Sequence, residues 1–130
     1  MVTFSDQSSG AEWGCHDGTY ATWTGANGTA IGTGAQNTIV IEAGCTTSGT
    51  AADICANLTL GVYSDWFLPS TDELDLMYSN LHQQGLGGFA SDRYWSSTEV
   101  TNYVAWNQNF QYGNQLNTYK FYNYYVRAVR

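Results

Sequence analysis

The chain has 130 residues, a formal net charge of −7, 12% charged side chains and 15% aromatic ones. This length is enough for one domain with its own hydrophobic core. The chain contains only four Lys and Arg residues, which argues against nucleic-acid binding and against docking on anionic lipid. No apolar run approaches the roughly 20 residues that span a bilayer, so we expect no membrane insertion.

The first part of the chain, residues 2–34, is predicted to be loop-like because glycine recurs throughout it and Asn27-Gly28 is a turn signal. Such a coil needs side chains that pack it onto the rest of the domain. The expected anchors are Trp13, Tyr20, Trp23 and Ile31.

Three helices are predicted in the middle of the chain. Asn37 is expected to cap a helix over residues 38–44, and residues 49–60 carry an apolar stripe typical of a second helix. Ser70-Thr71-Asp72-Glu73 is a capping-box pattern. Apolar residues at helical spacing follow it as far as Leu81 or His82, which predicts a third helix.

From Tyr94 onward the pattern has period two, which predicts strands. Tyr112-Gly113-Asn114 is a turn signal, and residues 117–122 and 124–130 are further candidate strands. Strands joined by short turns indicate a mostly antiparallel sheet. Together with two or three helices and long loops, that sheet predicts an α+β domain over residues 1–130. Along the first of these strands, one face is predicted to carry Val104, Trp106, Gln108 and Phe110, and the other Tyr103, Ala105, Asn107 and Asn109.

Residues 102–124 consist mostly of Asn, Tyr, Gln and Phe, and Lys120 is the only charge among them. Tyr offers rigid amphipathic contact area and Asn offers adaptable hydrogen bonding, a combination typical of binding surfaces. The alternative is the solvated face of a sheet, where Tyr is simply a good strand former. So many uncharged aromatic side chains would nevertheless be an unusual exposed patch without a partner. We therefore predict a ligand-contacting face made of Tyr103, Asn107, Asn109, Tyr112, Asn114, Asn117, Tyr119, Tyr122, Asn123 and Tyr124.

The chain has three cysteines, Cys15, Cys45 and Cys55, so at least one of them is free or pairs elsewhere. A Cys45–Cys55 bridge across a short loop is one candidate, although both residues lie in helical-looking sequence and spacing alone does not fix geometry. No Cys/His ligand set indicates a zinc site. The acids 72, 73 and 75 are explained by a helix start, so we predict neither a metal nor a cofactor.

No catalytic constellation is evident either. Cys15 and His16 are adjacent in sequence, which does not by itself bring a thiolate and a base into reach. His82 lies at a helix end, where a capping role is common. We therefore predict a protein that is not an enzyme.

Residues 61–74, GVYSDWFLPSTDEL, resemble the GYSDWxLPSxDEL signature of bacterial domains of the Lcl C-terminal type. Such domains occur at the ends of collagen-like adhesins and in many surface proteins. Further landmarks of the family are matched by YWSSTE at 94–99, AW at 105–106, YVRAVR at 125–130 and GTGAQNT at 32–38. The resemblance covers roughly residues 13–130 and implies a C-type lectin fold, of the branch shared with formylglycine-generating enzymes. Those enzymes use cysteines in their C-terminal part, whereas no Cys follows Cys55 here.

The resemblance also implies a function. Domains of this type often serve as variable proteins of diversity-generating retroelements, in which mutagenic reverse transcription changes template adenines. Residues 102–124 would then be a hypervariable face that binds a protein or glycan on another cell or particle. We expect display outside the cell, on a cell surface or on a virion. Met1 leads directly into polar sequence, so any export signal is expected to lie outside this chain.

Two alternatives remain open. One is an adhesin end-domain that is not diversified and that binds polysaccharide or forms a trimer. The other is calcium-dependent sugar binding. Against it, Trp106-Asn107-Gln108 stands in place of the Trp-Asn-Asp of calcium-dependent lectins, and the carboxylates that a hard cation needs are missing.

Within the family landmarks, Trp66, Trp95 and Trp106 are expected in the core.

Overall fold

Three helices and one five-stranded sheet form the protein in the computed structural model, which describes every residue from Met1 to Arg130. The predicted α+β class with a mostly antiparallel sheet is confirmed. No helix has the length and hydrophobicity that a membrane span requires. In chain order the elements are β1 (Ser8–Ala11), α1 (Gly34–Gly44), α2 (Ala51–Ala56), α3 (Thr71–Asn80), β2 (Arg93–Glu99), β3 (Val104–Asn109), β4 (Gln115–Tyr119) and β5 (Tyr124–Val126).

The sheet has the strand order β1-β5-β2-β3-β4. Its neighbouring strands are antiparallel except β2 and β5, which run parallel where Tyr94 pairs with Tyr125. The two ends of the chain also meet, because Val2 bridges to Val129 and the Met1 amino group donates to the Arg130 carbonyl at 2.7 Å. The first and last segments are therefore held together on the same side of the domain.

Each face of the sheet packs on a different hydrophobic core. Residues directly opposite one another on antiparallel strands point to the same face. Trp95 belongs to the larger core, which includes side chains from α1 and α2. Its neighbour Tyr94 points the other way, into a smaller core with Leu74 and Met77 of α3. The predicted alternation along β3 is confirmed. Asn107 pairs with Trp95 and points to the face of the larger core, whereas Gln108 pairs with Tyr94 and points to the face of the smaller core.

The capping box at the start of α3 is confirmed. Ser70 Oγ accepts from the Glu73 amide at 3.4 Å, and Glu73 Oε1 accepts from the Ser70 amide at 2.8 Å. The same carboxylate oxygen also accepts from the Gly34 amide at 3.0 Å, at the start of α1. Glu73 therefore satisfies backbone donors at the beginning of two helices, whose orphan N–H groups need acceptors.

Two predicted helix boundaries were wrong. The first helix begins at Gly34 and not after Asn37. The Asn37 side chain donates to Gly28 O at 2.7 Å and to Ser97 Oγ at 3.2 Å, so it ties a preceding loop to β2 and does not cap the helix. The second helix is limited to Ala51–Ala56.

The first part of the chain is loop-like apart from the short strand β1, but most of its predicted anchors were wrong. Trp13 is fully buried and donates from Nε1 to Ser96 O at 2.8 Å. Tyr20, Trp23 and Ile31 are 79%, 52% and 65% exposed. The loop that carries them is held instead by its backbone, because Glu99 accepts from the amides of residues 24 and 25.

The disulfide joins Cys15 to Cys45, with a Cα–Cα distance of 5.7 Å, and Cys55 is free and buried. The candidate Cys45–Cys55 bridge therefore does not form. Both Cys45 and Cys55 lie in the larger core, but Cys45, which directly follows α1, is bonded to Cys15 of the N-terminal loop. Among the tryptophans expected in the core, Trp66 and Trp95 are buried and Trp106 is only half-buried.

Candidate functional site

The ten side chains predicted to contact a ligand do not share one face of the sheet. Asn107 and Asn109 point to the face that carries Trp95. Asn117 and Tyr119 pair with alternate residues of β3, Trp106 and Val104, and point to the opposite face. A single flat binding face made of all ten residues is therefore excluded.

Three of the ten lie at the tip of the β3–β4 hairpin. Asn109 Oδ1 accepts from the backbone amides of Gln111 and Tyr112 at 2.8 and 3.3 Å, which shapes the turn. Tyr112 is 73% exposed, and Asn114 is exposed beside it. A strand rises about 3.3 Å per residue, so this tip lies roughly 17 Å from the start of β3. A small ligand cannot contact both ends of the hairpin.

At the opposite end of the hairpin, three of the predicted tyrosines come together with two residues, His16 and Phe121, that were not predicted to contact a ligand. Tyr103, Tyr119 and Tyr122 are 45%, 48% and 43% exposed. The ring of Phe121 stacks on Tyr119 at 5.4 Å with an interplanar angle of 9°, and Tyr122 meets Phe121 edge-on at 5.1 Å. We call Tyr103, Tyr119, Phe121, Tyr122 and His16 the aromatic surface.

His16 packs against three of the other four rings of this surface. It is 7% exposed, and its ring meets Tyr103, Tyr119 and Phe121 edge-on at 5.4, 6.1 and 4.9 Å. Its Nδ1 accepts from the Gly18 amide at 3.0 Å, which fixes the ring. No local pattern indicates this role, because His16 is far from residues 102–124 in sequence.

Three recesses open around the aromatic surface and connect through shared residues. One of about 470 Å³ is lined by His16, Gly18, Tyr103, Tyr119 and Phe121. A second of about 390 Å³ adjoins it at Tyr119 and is lined by Val104, Asn117, Thr118, Tyr119 and Tyr122. The third, of about 680 Å³, adjoins it at His16 and Phe121 and is lined by Glu12, Cys15, His16, Asp17, Gly18, Tyr20, Thr22, Thr47 and Phe121.

A buried ion pair lies beneath this surface. Lys120 Nζ contacts Glu99 Oε2, donates to Thr22 O at 2.9 Å and lies 4.6 Å from the centre of the Trp13 ring. Burial lowers the pKa of Lys120, and its hydrogen bond to Glu99 opposes that shift. The only charge within residues 102–124 therefore organises the base of the surface and is not available to a ligand.

The remaining predicted contact residues have different environments. Asn107 is 1% exposed and donates to Thr118 Oγ1 at 2.9 Å, so it adds no area to a binding surface and the prediction needs this correction. Tyr124 is half-buried against Trp95, with ring centroids 4.7 Å apart, and its hydroxyl accepts from Arg93 Nη1 at 3.2 Å. Asn123 is exposed next to the aromatic surface.

The structure has no group of three or more His, Cys, Asp or Glu side chains placed to hold a metal ion. Arg127 is fully buried, pairs with Asp6 and donates to the carbonyls of Thr3, Gly87 and Gly88, which is a framework role. Arg130 donates to Asp65 Oδ1 at 2.6 Å, away from the aromatic surface. The chemistry of the surface is therefore that of aromatic rings, hydroxyls, amides and one imidazole.

A family model described as the Lcl C-terminal domain matches residues 2–130. The matched region includes both cores, the disulfide and every residue of the aromatic surface. A search of curated proteins finds no match for this chain.

Proposed function

Because the chain belongs to the Lcl C-terminal domain family, we propose that it is a recognition domain displayed on the surface of a cell or particle. In this proposal the aromatic surface is its ligand-contacting site. The ligand is a protein or a glycan on another cell or particle, and binding requires no metal or cofactor.

One observation carries the proposal. Tyr103, Tyr119 and Tyr122 cluster at the end of the β3–β4 hairpin opposite its tip, and each exposes between 43% and 48% of its area. Buried aromatic anchors dominate the energetics of many interfaces, and Tyr loses little conformational entropy when it is fixed. The buried Lys120–Glu99 pair and the edge-on contacts of His16 hold the tyrosines in place before a ligand arrives. This preorganisation reduces the entropic cost of binding.

The proposed location is extracellular, on a cell surface or on a virion. The Cys15–Cys45 disulfide supports it, because disulfides persist mainly in oxidising compartments. The low content of charged residues and the many exposed uncharged aromatic side chains agree with a surface role.

We assign the domain to the C-type lectin fold as part of the proposal. The paired chain ends, the antiparallel strands β2, β3 and β4, and the long loops are compatible with that fold. Within it, residues 102–124 would be the segment diversified by a retroelement. The exposed positions of this segment that lie at or beside the aromatic surface are Tyr103, Asn117, Tyr119, Tyr122 and Asn123, and they support this interpretation. A reverse transcriptase gene and a near-copy of the segment's DNA beside the gene would have to exist, and genomic sequencing tests this requirement.

We also propose that the domain is not an enzyme. Cys15 is held in the disulfide. Cys55 is completely buried, and burial raises the pKa of its thiol, the opposite of what a nucleophilic cysteine needs. His82 packs among Tyr78, Phe89 and Phe110, away from both cysteines.

The second candidate is an adhesin end-domain that is not diversified, in which the exposed tyrosines contact polysaccharide or a sister subunit. Solution mass separates these cases. A stable trimer that loses its association when Tyr119 is replaced by Ser would favour the subunit contact. A monomer leaves the surface free for a ligand.

A binding experiment with matched variants tests the main proposal. The fluorescently labelled domain is applied to a glycan array and to a panel of intact bacterial cells. Tyr119→Ser and Tyr122→Ser should each reduce binding at least about tenfold, the effect of losing a central aromatic anchor. Tyr112→Ser is the matched control, because it removes an exposed tyrosine at the other end of the hairpin. Equal binding by all three variants would overturn the assignment of the site.

A further inference from the structure

We propose that the aromatic surface binds a neutral sugar ring, and that His16 donates a hydrogen bond from Nε2 to an oxygen of that ring. This inference rests on the proposed function, because it names the ligand class of the same surface. It also adds a specificity-determining residue from outside residues 102–124.

The hydrogen bonding of His16 fixes which ring nitrogen carries the proton. The Gly18 amide donates to Nδ1 at 3.0 Å, so Nδ1 must present a lone pair. A neutral imidazole that accepts at Nδ1 carries its hydrogen on Nε2. The contact with Gly18 is the only hydrogen bond that the His16 side chain makes within the protein.

The position of His16 makes this donor relevant to a ligand. The residue is 7% exposed, yet its side chain lines two of the three recesses at the aromatic surface. Its Nε2–H has no acceptor within the protein but still reaches solvent, so it can donate to a molecule in the recess. A ligand oxygen in the recess supplies the missing acceptor.

The aromatic walls of the recess indicate that the ligand is a sugar ring. Tyr119 and Phe121 are nearly parallel, and the ring of Tyr103 stands opposite them across His16. A pyranose ring has an apolar C–H face and a rim of hydroxyl groups. The apolar face matches the aromatic walls, and the rim oxygens can accept from His16 and bond to the tyrosine hydroxyls. The recess holds about 470 Å³, within the range of small-ligand sites.

The charges around the surface select against an anionic ligand. Lys120, the nearest cation in sequence, is completely buried and paired with Glu99. Glu12 and Asp17 line the adjoining recess. The amides of Tyr20 and Thr19 lower the pKa of Asp17, which keeps this carboxyl ionised. A sulfated or uronic sugar would therefore meet like charge with no basic partner, an arrangement that disfavours binding.

The test is an NMR titration of the intact domain with neutral gluco-, manno- and galacto-oligosaccharides, and with a heparin oligosaccharide as the anionic comparison. We expect a neutral sugar to shift the resonances of His16 Nε2–H and of the Tyr119 and Phe121 rings. Heparin should leave them unchanged. A spectrum of the free protein that correlates the ring nitrogens with the ring protons should show the hydrogen on Nε2.

Two variants distinguish the hydrogen bond that His16 donates from the packing of the His16 ring. His16→Phe keeps an aromatic ring against Tyr103, Tyr119 and Phe121 but has no donor, and should weaken the binding of a neutral sugar about 3- to 10-fold, the loss of one hydrogen bond. His16→Gln restores an N–H donor and should recover part of the affinity. Thermal unfolding of both variants identifies any loss that arises from misfolding.

Each outcome has a defined meaning. Equal affinity in the wild type and His16→Phe, or a hydrogen on Nδ1 in the free protein, overturns the role of His16. Preferential binding of heparin, or no shift with any neutral sugar, overturns the ligand class. In those cases the proposed function still stands if binding to intact cells depends on Tyr119, and it falls only if that dependence is also absent.

Discussion

Lys120 and Glu99 form an ion pair in which both side chains are completely shielded from solvent. The pair joins the end of β2 to the segment that follows β4, and Lys120 stands between Tyr119 and Phe121 in the chain. Glu99 also accepts from the amides of Thr24 and Gly25 at 2.9 and 2.8 Å. The aromatic surface and the loop that carries Trp23 are therefore fixed by the same two charges.

Removing one charge of this pair should lower the free energy of unfolding. Lys120→Met leaves the Glu99 carboxylate buried without its cation, and we expect a loss of about 3–5 kcal/mol in the free energy of unfolding. The measurement is denaturant unfolding. The control is the double variant Lys120→Met/Glu99→Gln, which removes both charges and should recover at least half of that loss. A single variant within about 1 kcal/mol of the wild type would contradict the structural role of the pair.

The two ends of the β3–β4 hairpin should differ in their contribution to stability. Tyr112 is 73% exposed at the tip, so Tyr112→Ser should change the free energy of unfolding by less than about 0.5 kcal/mol. Tyr119 contacts His16, Phe121 and Tyr122, so Tyr119→Ser should cost about 1–2 kcal/mol. Thermal and denaturant unfolding measure both. A larger cost at Tyr112 than at Tyr119 would contradict the described packing.

Glu42 should make stability depend on pH. Burial and the neighbouring Asp53 raise the pKa of Glu42 from 4.5 to about 7. The charged and titratable groups near it are Asp53 and Cys55 of α2, and Asp65 across the recess that Glu42 lines. The folded protein therefore retains a proton at pH values where the unfolded chain has released it. The resulting stabilisation is complete below the pKa of the unfolded chain and is lost as the pH rises through about 7.

Unfolding measured from about pH 5 to pH 8 tests this assignment. Glu42→Gln, which stays neutral, should gain stability relative to the wild type as the pH rises across this interval. Asp65, also at the recess but paired with Arg130, supplies the control Asp65→Asn. Its difference from the wild type should stay nearly constant over the interval, because Arg130 lowers the pKa of Asp65. Parallel pH profiles for the wild type and Glu42→Gln would contradict the raised pKa.

Gly34 should not tolerate a side chain. A Cβ atom there would clash with Glu73 Oε1 and lie 2.9 Å from Leu68 O. Gly34→Ala must displace the carboxylate that serves the start of both α1 and α3, and we expect a cost of about 1–3 kcal/mol. Gly10→Ala is the control, because its nearest neighbour would be an ordinary 3.7 Å from the new Cβ. Equal melting temperatures for the two variants would contradict the close approach of α1 and Glu73.

The features that the sequence predicted correctly depend on local physics. The capping box at Ser70 and Glu73 joins residues three apart, so its pattern is complete within one helical turn. The alternation along β3 reflects the two faces of a strand, and the positions of Trp66 and Trp95 follow from their apolar surface. The α+β class follows from such elements taken together.

The features that the sequence missed depend on distant partners. Asn37 has the chemistry of a helix cap, but Gly28 and Ser97 supply better-placed partners after folding. Cys45 pairs with Cys15, thirty residues away, and not with the nearer Cys55. His16 meets the tyrosines only because the N-terminal loop folds against the end of the β3–β4 hairpin. Composition identified the tyrosines, but only the fold separates those of the aromatic surface from Tyr112 and Tyr124.

The most direct test of the central claim, that the aromatic surface is a diversified recognition site, is to sequence this locus across a population of its source. We predict that substitutions concentrate at the exposed positions Tyr103, Asn117, Tyr119, Tyr122 and Asn123, at codons that contain adenine in an adjacent template copy. The buried positions Asn107, Gln108 and Lys120 provide a control within the same segment and should stay constant. A locus without a template copy, or with substitutions spread equally over buried and exposed positions, would contradict the claim.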